Sequence, residues 1–90
     1  MHSRRACSVC AGPLAAPAHR GMPSPYCSDP CRRAAHDLAS EIRFWRRAVA
    51  GWEPVGDPVQ LAWCRDRLAR ARALPAAHFL DPANRWALRS

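Results

Sequence analysis

Apolar residues recur at three- and four-residue steps through the middle of the chain, which is the period of an amphipathic helix. Ser28 suits the N-cap of such a helix, Pro30 suits its first turn, and Gly51 follows its last turn. The pattern predicts a helix from about residue 28 to residue 50, some 35 Å long at about 1.5 Å per residue. Its apolar stripe consists of Ala34, Ala35, Leu38, Ile42, Trp45 and Val49.

A second helix is predicted from about Pro58 to Leu74, because Asp57 and Pro58 form an N-cap followed by a proline at the first helical position. Its stripe contains Leu61, Cys64, Leu68 and Ala71. The connection is short, so we expect an antiparallel helical hairpin in which Cys64 is a small core residue. In that hairpin Leu38, Ile42 and Trp45 should be buried against Leu61, Cys64 and Leu68.

The C-terminal segment repeats the N-cap signature at Asp81 and Pro82, which predicts a short third helix from Pro82 to about Arg89. Trp86 and Leu88 would let this helix cover the hairpin, or the segment orders only against a partner. The expected fold is small and mostly α. Residues 1–50 hold the N-terminal module and its long helix, and residues 51–90 pack on that helix to form one compact unit.

Four cysteines precede the long helix in two close pairs, Cys7 with Cys10 and Cys27 with Cys31, separated by sixteen residues. This spacing is typical of a structural zinc site with four thiolate ligands. Cys31 falls in the first helical turn, where the helix dipole favours a thiolate. His19, in the proline-containing loop between the pairs, is an alternative ligand, although four thiolates already fill a tetrahedron.

Composition adds a basic surface to this picture. The 90 residues include 14 basic side chains, all of them Arg, and the formal net charge is +7. Four thiolates and one Zn²⁺ would lower that charge to about +5. A GC-rich genome accounts for the arginines as codon bias, and a phosphate- or carboxylate-binding surface accounts for them functionally. The two explanations are compatible.

Catalytic patterns are missing from the sequence. Four cysteines leave no open position on zinc, no Gly-rich phosphate loop is present, and His36 and Asp37 fall on different helix faces. We therefore expect a protein that is not an enzyme and has no small-molecule substrate. The absence of a signal peptide and of a membrane-spanning stretch favours a cytoplasmic protein.

The segment Tyr26-Cys-Ser-Asp-Pro-Cys-Arg-Arg-Ala-Ala-His36 resembles treble-clef zinc knuckles of the Phe/Tyr-Cys-Ser-x-x-Cys-Arg type, found in small actinobacterial and phage proteins. More loosely it is similar to the bacterial zinc-binding DNA gyrase inhibitors, which place Asp-Leu closer behind the last cysteine. The resemblance covers roughly residues 7–38. It implies a treble-clef fold with Cys7, Cys10, Cys27 and Cys31 as zinc ligands.

Two functions fit these features. The first is a DNA-binding or transcription-associated protein that contacts phosphates through the long helix. The arginines expected to make those contacts are Arg32, Arg33, Arg43, Arg46 and Arg47. The second is a protein-interaction module, an adaptor or inhibitor of a larger nucleic-acid enzyme, that presents an interface to an acidic protein surface. Four Trp residues favour the second function if they are exposed at an interface, and carry no such weight if they fill the core.

Overall fold

The computed structural model describes residues 6–14 and 25–89, and within these ranges the chain is mostly helical and contains no strand. Helix α1 covers Asp29–Trp52 and helix α2 covers Pro58–Ala73. Three 3₁₀ segments follow, at Ala76–Leu80, Pro82–Asn84 and Ala87–Arg89. The mostly α fold expected from the sequence is therefore confirmed. The basic residues 1–5 and most of the loop expected between the cysteine pairs lie outside the described ranges.

Helix α1 begins where the sequence predicts and ends slightly later. Ser28 is its N-cap in an extended conformation, although the serine side chain makes no capping hydrogen bond. Gly51 does not end the helix, which continues to Trp52. The chain reverses instead at Gly56, whose φ of 78° is a left-handed conformation that glycine adopts without steric cost.

Helix α2 has the predicted N-terminus. The Asp57 carboxylate accepts hydrogen bonds from the backbone N–H groups of Val59 and Gln60, at 3.0 and 3.2 Å. The helix ends at Ala73, because Leu74 precedes Pro75 and takes the extended conformation that proline imposes on its neighbour. Five residues link the helices, so α2 folds back against α1.

The hairpin core is centred on Trp45, which is 2% exposed and packs with Cys64 and Ala71. The small side chains of Cys64 and Ala71 let α2 approach the indole ring closely. The prediction of Cys64 as a core residue is confirmed. Ile42 and Leu68 pack against this core, as expected, but Leu38, Ile42, Leu61 and Leu68 are only partly buried, so burial of the two stripes is less complete than predicted. Two helices alone cannot cover both flanks of the stripe.

The predicted third helix does not form as one element. The Asp81 carboxylate does cap its start, accepting from the Ala83 N–H at 2.9 Å, but the chain makes two separate 3₁₀ turns around Arg85 and Trp86. An isolated helix of this length is marginal. The Asn84 side chain instead donates to the His78 carbonyl at 3.0 Å, which holds the segment against the preceding turn. Leu88 then reaches the hairpin core.

A buried carboxylate lies in the middle of α1. Glu41 is 3% exposed and accepts a hydrogen bond from Trp45 Nε1 at 2.9 Å. The Arg89 guanidinium donates to both carboxylate oxygens, at 3.3 and 3.2 Å. This pair joins α1 to the last 3₁₀ segment, so the C-terminal segment is tied to the hairpin by charge as well as by packing.

Among the described helices, none is long and apolar enough to cross a membrane.

Candidate metal centre and arginine surfaces

The first cysteine pair lies in a tight turn closed by backbone hydrogen bonds. The Cys7 N–H donates to the Gly12 carbonyl at 2.8 Å, and the Ala11 N–H donates to the Cys7 carbonyl at 3.0 Å. An isolated antiparallel bridge between Ala6 and Pro13 closes the same turn. Ala11 has a φ of 61°, a left-handed conformation that costs a residue with a Cβ about 1 kcal/mol. The turn therefore holds Cys7 and Cys10 in place at the expense of local strain.

The second pair straddles the start of α1, with Cys27 before the helix and Cys31 in its first turn. The Ser8 N–H donates to the Pro25 carbonyl at 3.0 Å, which ties the first turn to the segment that leads into α1. The Cys27 N–H donates to Cys7 Sγ at 3.4 Å. These two bonds bring the cysteine pairs face to face.

All four Sγ atoms of Cys7, Cys10, Cys27 and Cys31 lie within 4.8 Å of one another. Cys10 Sγ and Cys31 Sγ are each 3.5 Å from Cys27 Sγ. Four thiolates around zinc, with Zn–S bonds of about 2.3 Å, would be separated by about 3.8 Å in a tetrahedron. The cluster is therefore close enough to bind one metal ion, and its donor set fits zinc. His19 lies outside the described residues.

The four thiols have unequal electrostatic surroundings. Backbone hydrogen bonds, the largest of them from the Cys10 N–H, lower the pKa of Cys7 from 9.0 to about 6. Burial raises the pKa of Cys31 to about 12. Cys7 thus carries a thiolate near neutral pH, whereas Cys31 requires a neighbouring cation to ionise. A metal ion bound by the four sulfurs would supply that cation.

Gly12 packs against the cluster. A Cβ atom built at this position would lie 3.3 Å from Cys10 Sγ, closer than most such contacts. The absence of a side chain at Gly12 therefore leaves room for the sulfur.

The five arginines expected to form one surface on α1 separate into two groups. Arg32 is held by the Asp29 carboxylate at 3.1 Å, with both side chains well exposed. Arg33 turns toward a cleft beside the 3₁₀ segments. Arg43, Arg46 and Arg47 surround a shallow depression of about 350 Å³, and none of the three has an ion-pair partner in the described part of the chain. Arg43 donates to Ser40 Oγ at 3.1 Å.

The cleft has a volume of about 510 Å³ and lies between the start of α1 and the first two 3₁₀ segments. Phe79 and Leu80 provide apolar surface, and both signs of charge surround it. The remaining lining residues are Asp29, Pro30, Arg33, Asp37, Pro82 and Arg85. This cleft was not expected from the sequence, because it depends on the packing of Ala76–Leu80 against α1.

Two further features were missed by the sequence reasoning. One is the burial of Glu41. A signal for it exists in the sequence, because Glu41 belongs to a three-four alternation of buried and partly buried positions along α1: Ala34, Leu38, Glu41, Trp45, Ala48 and Trp52. The other is the grouping of exposed aromatic rings, since the sequence left open whether the Trp residues are exposed or fill the core. Of the four Trp residues only Trp45 is buried, whereas Trp63 is 39% and Trp86 is 54% exposed.

Comparison with known proteins finds no match: no protein-family model, no curated protein and no solved structure matches this chain. The resemblance to treble-clef knuckles therefore rests on the cysteine motifs themselves.

Proposed function

We propose that this protein is a non-catalytic, zinc-stabilised DNA-binding protein with a transcription-associated role. In this proposal Cys7, Cys10, Cys27 and Cys31 hold one structural Zn²⁺ in a treble-clef-like knuckle. The metal would fix the first turn of α1, and the outer face of that helix would contact phosphates. The observation that carries the proposal is a group of three arginines that have no carboxylate partner among the described residues: Arg43, Arg46 and Arg47.

Position on the helix supports this assignment. At about 100° per residue, Arg43 and Arg47 lie on the opposite side of α1 from the buried Trp45. All three arginines are exposed, so a ligand reaches them without any rearrangement of the hairpin. Guanidinium groups bind phosphate oxygens bidentately, and each neutralised phosphate releases a counterion.

Arg32 and Arg33 have secondary roles in this proposal. Arg32 would have to give up Asp29 to bind a phosphate, which reduces its net contribution. Arg33 lies on the flank of α1 that faces the cleft. The contacts near the metal are therefore weaker than those of the patch, and nothing on the patch provides base readout beyond the phosphates.

The test is binding of random-sequence duplex DNA at several salt concentrations. The double variant Arg43→Gln with Arg47→Gln should reduce the slope of log K against log salt by about two units. It should also weaken binding to duplexes of every sequence by a similar factor. Arg65→Gln with Arg70→Gln is the matched control, because it removes the same charge from arginines that are paired with Glu53 and Asp66. Equal effects of the two double variants would contradict a specific role for the patch.

A second candidate function, an adaptor or inhibitor that binds a larger nucleic-acid enzyme, is favoured by the cleft beside Phe79. Its apolar surface and mixed charges suit a peptide segment better than a phosphate backbone. Leu80→Asp should then abolish capture of a host protein by the immobilised chain, while leaving the DNA salt slope unchanged. Loss of DNA binding in Leu80→Asp would contradict this separation of functions.

A further inference from the structure

Two exposed aromatic rings, those of Phe44 and Trp63, pack against the buried Trp45 on the flank of the hairpin. The Phe44 ring is 4.9 Å from the Trp45 ring, and the Trp63 ring is 5.1 Å from it on the opposite helix, both edge to face. Phe44 is 41% exposed and Trp63 is 39% exposed. Trp45 therefore supports the rings of Phe44 and Trp63, which project toward solvent.

Arginines alternate with these rings. The Arg89 guanidinium lies 3.7 Å from the centre of Phe44 and 4.7 Å from the centre of Trp86. Arg85 lies 5.1 Å from the centre of Trp86. On α2, Arg67 lies 5.2 Å from the centre of Trp63. We call this set the aromatic–arginine ladder: Phe44, Trp63, Trp86, Arg67, Arg85 and Arg89.

The ladder is held rigidly. Glu41 accepts hydrogen bonds from Arg89 and from Nε1 of Trp45, the buried ring against which Phe44 and Trp63 pack. Glu41 is itself buried, whereas the three rings and Arg85 are exposed, and the side chains of Arg67 and Arg89 are partly exposed. Rings held in place in this way lose little rotational freedom when a ligand stacks on them.

We propose that the aromatic–arginine ladder binds single-stranded nucleic acid. Each nucleotide of a single strand offers one flat base and one negative phosphate, which matches the alternation of ring and guanidinium. Bases would stack on the exposed parts of Phe44, Trp63 and Trp86, and phosphates would pair with Arg67 and Arg85. A duplex does not supply these contacts, because its base faces are stacked on one another.

The ladder adjoins the patch proposed to bind duplex phosphates at one ring only. Phe44 lies about 100° around α1 from Arg43 and about 60° from Arg47, whereas Trp63 belongs to α2 and Trp86 to the C-terminal segment. An acidic protein would also be attracted to guanidinium groups, but it would supply no regular series of flat rings to match the aromatic positions. The two proposals are separated by their tests, because only the ladder predicts a preference for bases over an abasic strand.

The test compares two oligonucleotides of equal length, oligo(dT) of about 12 nucleotides and an abasic strand with the same phosphates, against the metal-loaded full chain. At about 50 mM salt, we expect oligo(dT) to bind about tenfold or more tightly than the abasic strand, with quenching of Trp fluorescence. Trp63→Leu should lower the affinity for oligo(dT) by about tenfold and leave the affinity for the abasic strand unchanged. Trp63→Phe, which keeps a ring, should restore most of the loss.

Trp86→Leu provides a second variant at the most exposed of these rings, in case Trp63→Leu disturbs the packing of Trp45. Arg43→Gln with Arg47→Gln is the control, and should leave the ratio between the two oligonucleotides unchanged. Equal binding of oligo(dT) and the abasic strand would overturn the proposal, as would an unchanged ratio in both leucine variants. Absence of binding to either strand would also overturn it.

Discussion

Glu41 and Arg89 form an ion pair across 48 residues of sequence, with the carboxylate almost fully buried and the guanidinium only partly exposed. Trp45 completes the carboxylate's hydrogen bonding from one helical turn away. Removing one partner of a buried ion pair destabilises a protein more than replacing both partners with apolar residues, because the remaining charge is left without a partner. The stability of the hairpin therefore depends on a residue in the last 3₁₀ segment.

Replacing Arg89 tests whether the stability of the hairpin depends on this ion pair. Arg89→Met keeps the length and apolar character of the side chain but leaves the Glu41 carboxylate with Trp45 alone, so we expect a loss of about 2 kcal/mol in the free energy of unfolding. Chemical denaturation measures it. Arg85→Met is the control, because Arg85 also lies over Trp86 but is exposed, and it should change stability by less than about 0.5 kcal/mol. Similar losses in both variants would contradict a special role for the buried pair.

The metal centre predicts a sharp difference between two cysteines. Cys27→Ser should lose zinc and the structure of the N-terminal third, whereas Cys64→Ser should keep one zinc per chain, because Cys64 lies in the hairpin core. Metal analysis gives the stoichiometry, and X-ray absorption should show four sulfur ligands at about 2.3 Å. Nitrogen ligands, or full folding of the wild-type chain in a chelator, would contradict the assignment.

Zinc affinity should rise with pH, because thiolates bind the metal and thiols do not. Near neutral pH Cys7 releases no proton on binding, since its pKa is lowered to about 6. Cys31 must release one, since burial raises its pKa to about 12. Below about pH 6 Cys7 is protonated too, so the affinity should fall more steeply with decreasing pH. Calorimetry in buffers of different protonation enthalpy counts the released protons, and an affinity independent of pH would refute the assignment of thiolate ligands.

Substitutions at two neighbouring residues of the first cysteine turn, Ala11 and Gly12, should change the zinc affinity in opposite directions. Ala11→Gly removes the Cβ from a left-handed residue and should stabilise the metal-bound turn by about 1 kcal/mol, or about fivefold in zinc affinity. Gly12→Ala places a Cβ against Cys10 Sγ and should weaken binding. Competition with a chromogenic chelator measures both changes. Ala6→Gly serves as the control outside the left-handed position and should not strengthen binding.

Local patterns predicted the parts of this fold that are local in sequence. Each cysteine pair is set by local structure, the first by its own turn and the second by the start of α1, and α2 begins after Asp57 because that carboxylate caps the helix. The conformation of the C-terminal segment could not be predicted from local patterns. Its start has a true cap at Asp81, but its conformation depends on the hydrogen bond to His78 and on Leu88 reaching the hairpin core.

Burial of Glu41 likewise depends on a contact between distant elements that local sequence patterns do not reveal. Its place in the alternation along α1 is visible in the sequence, and Trp45 one turn away is a ready donor. The decisive partner, Arg89, comes from a different element, and no periodicity connects the two positions. The candidate metal centre was therefore predictable, whereas the cleft and the aromatic–arginine ladder required the folded chain.

The order of the elements along the chain has a consequence for biosynthesis. Proteins are synthesised from the N-terminus, and their early segments can fold first. The thiol cluster is complete once Cys31 has been made, whereas the core around Trp45 must wait for Ala71 and the buried carboxylate for Arg89. The candidate metal centre is thus complete in a nascent chain on the ribosome before the hairpin can close. Because its contacts span few residues, this first folding step has a small entropic cost.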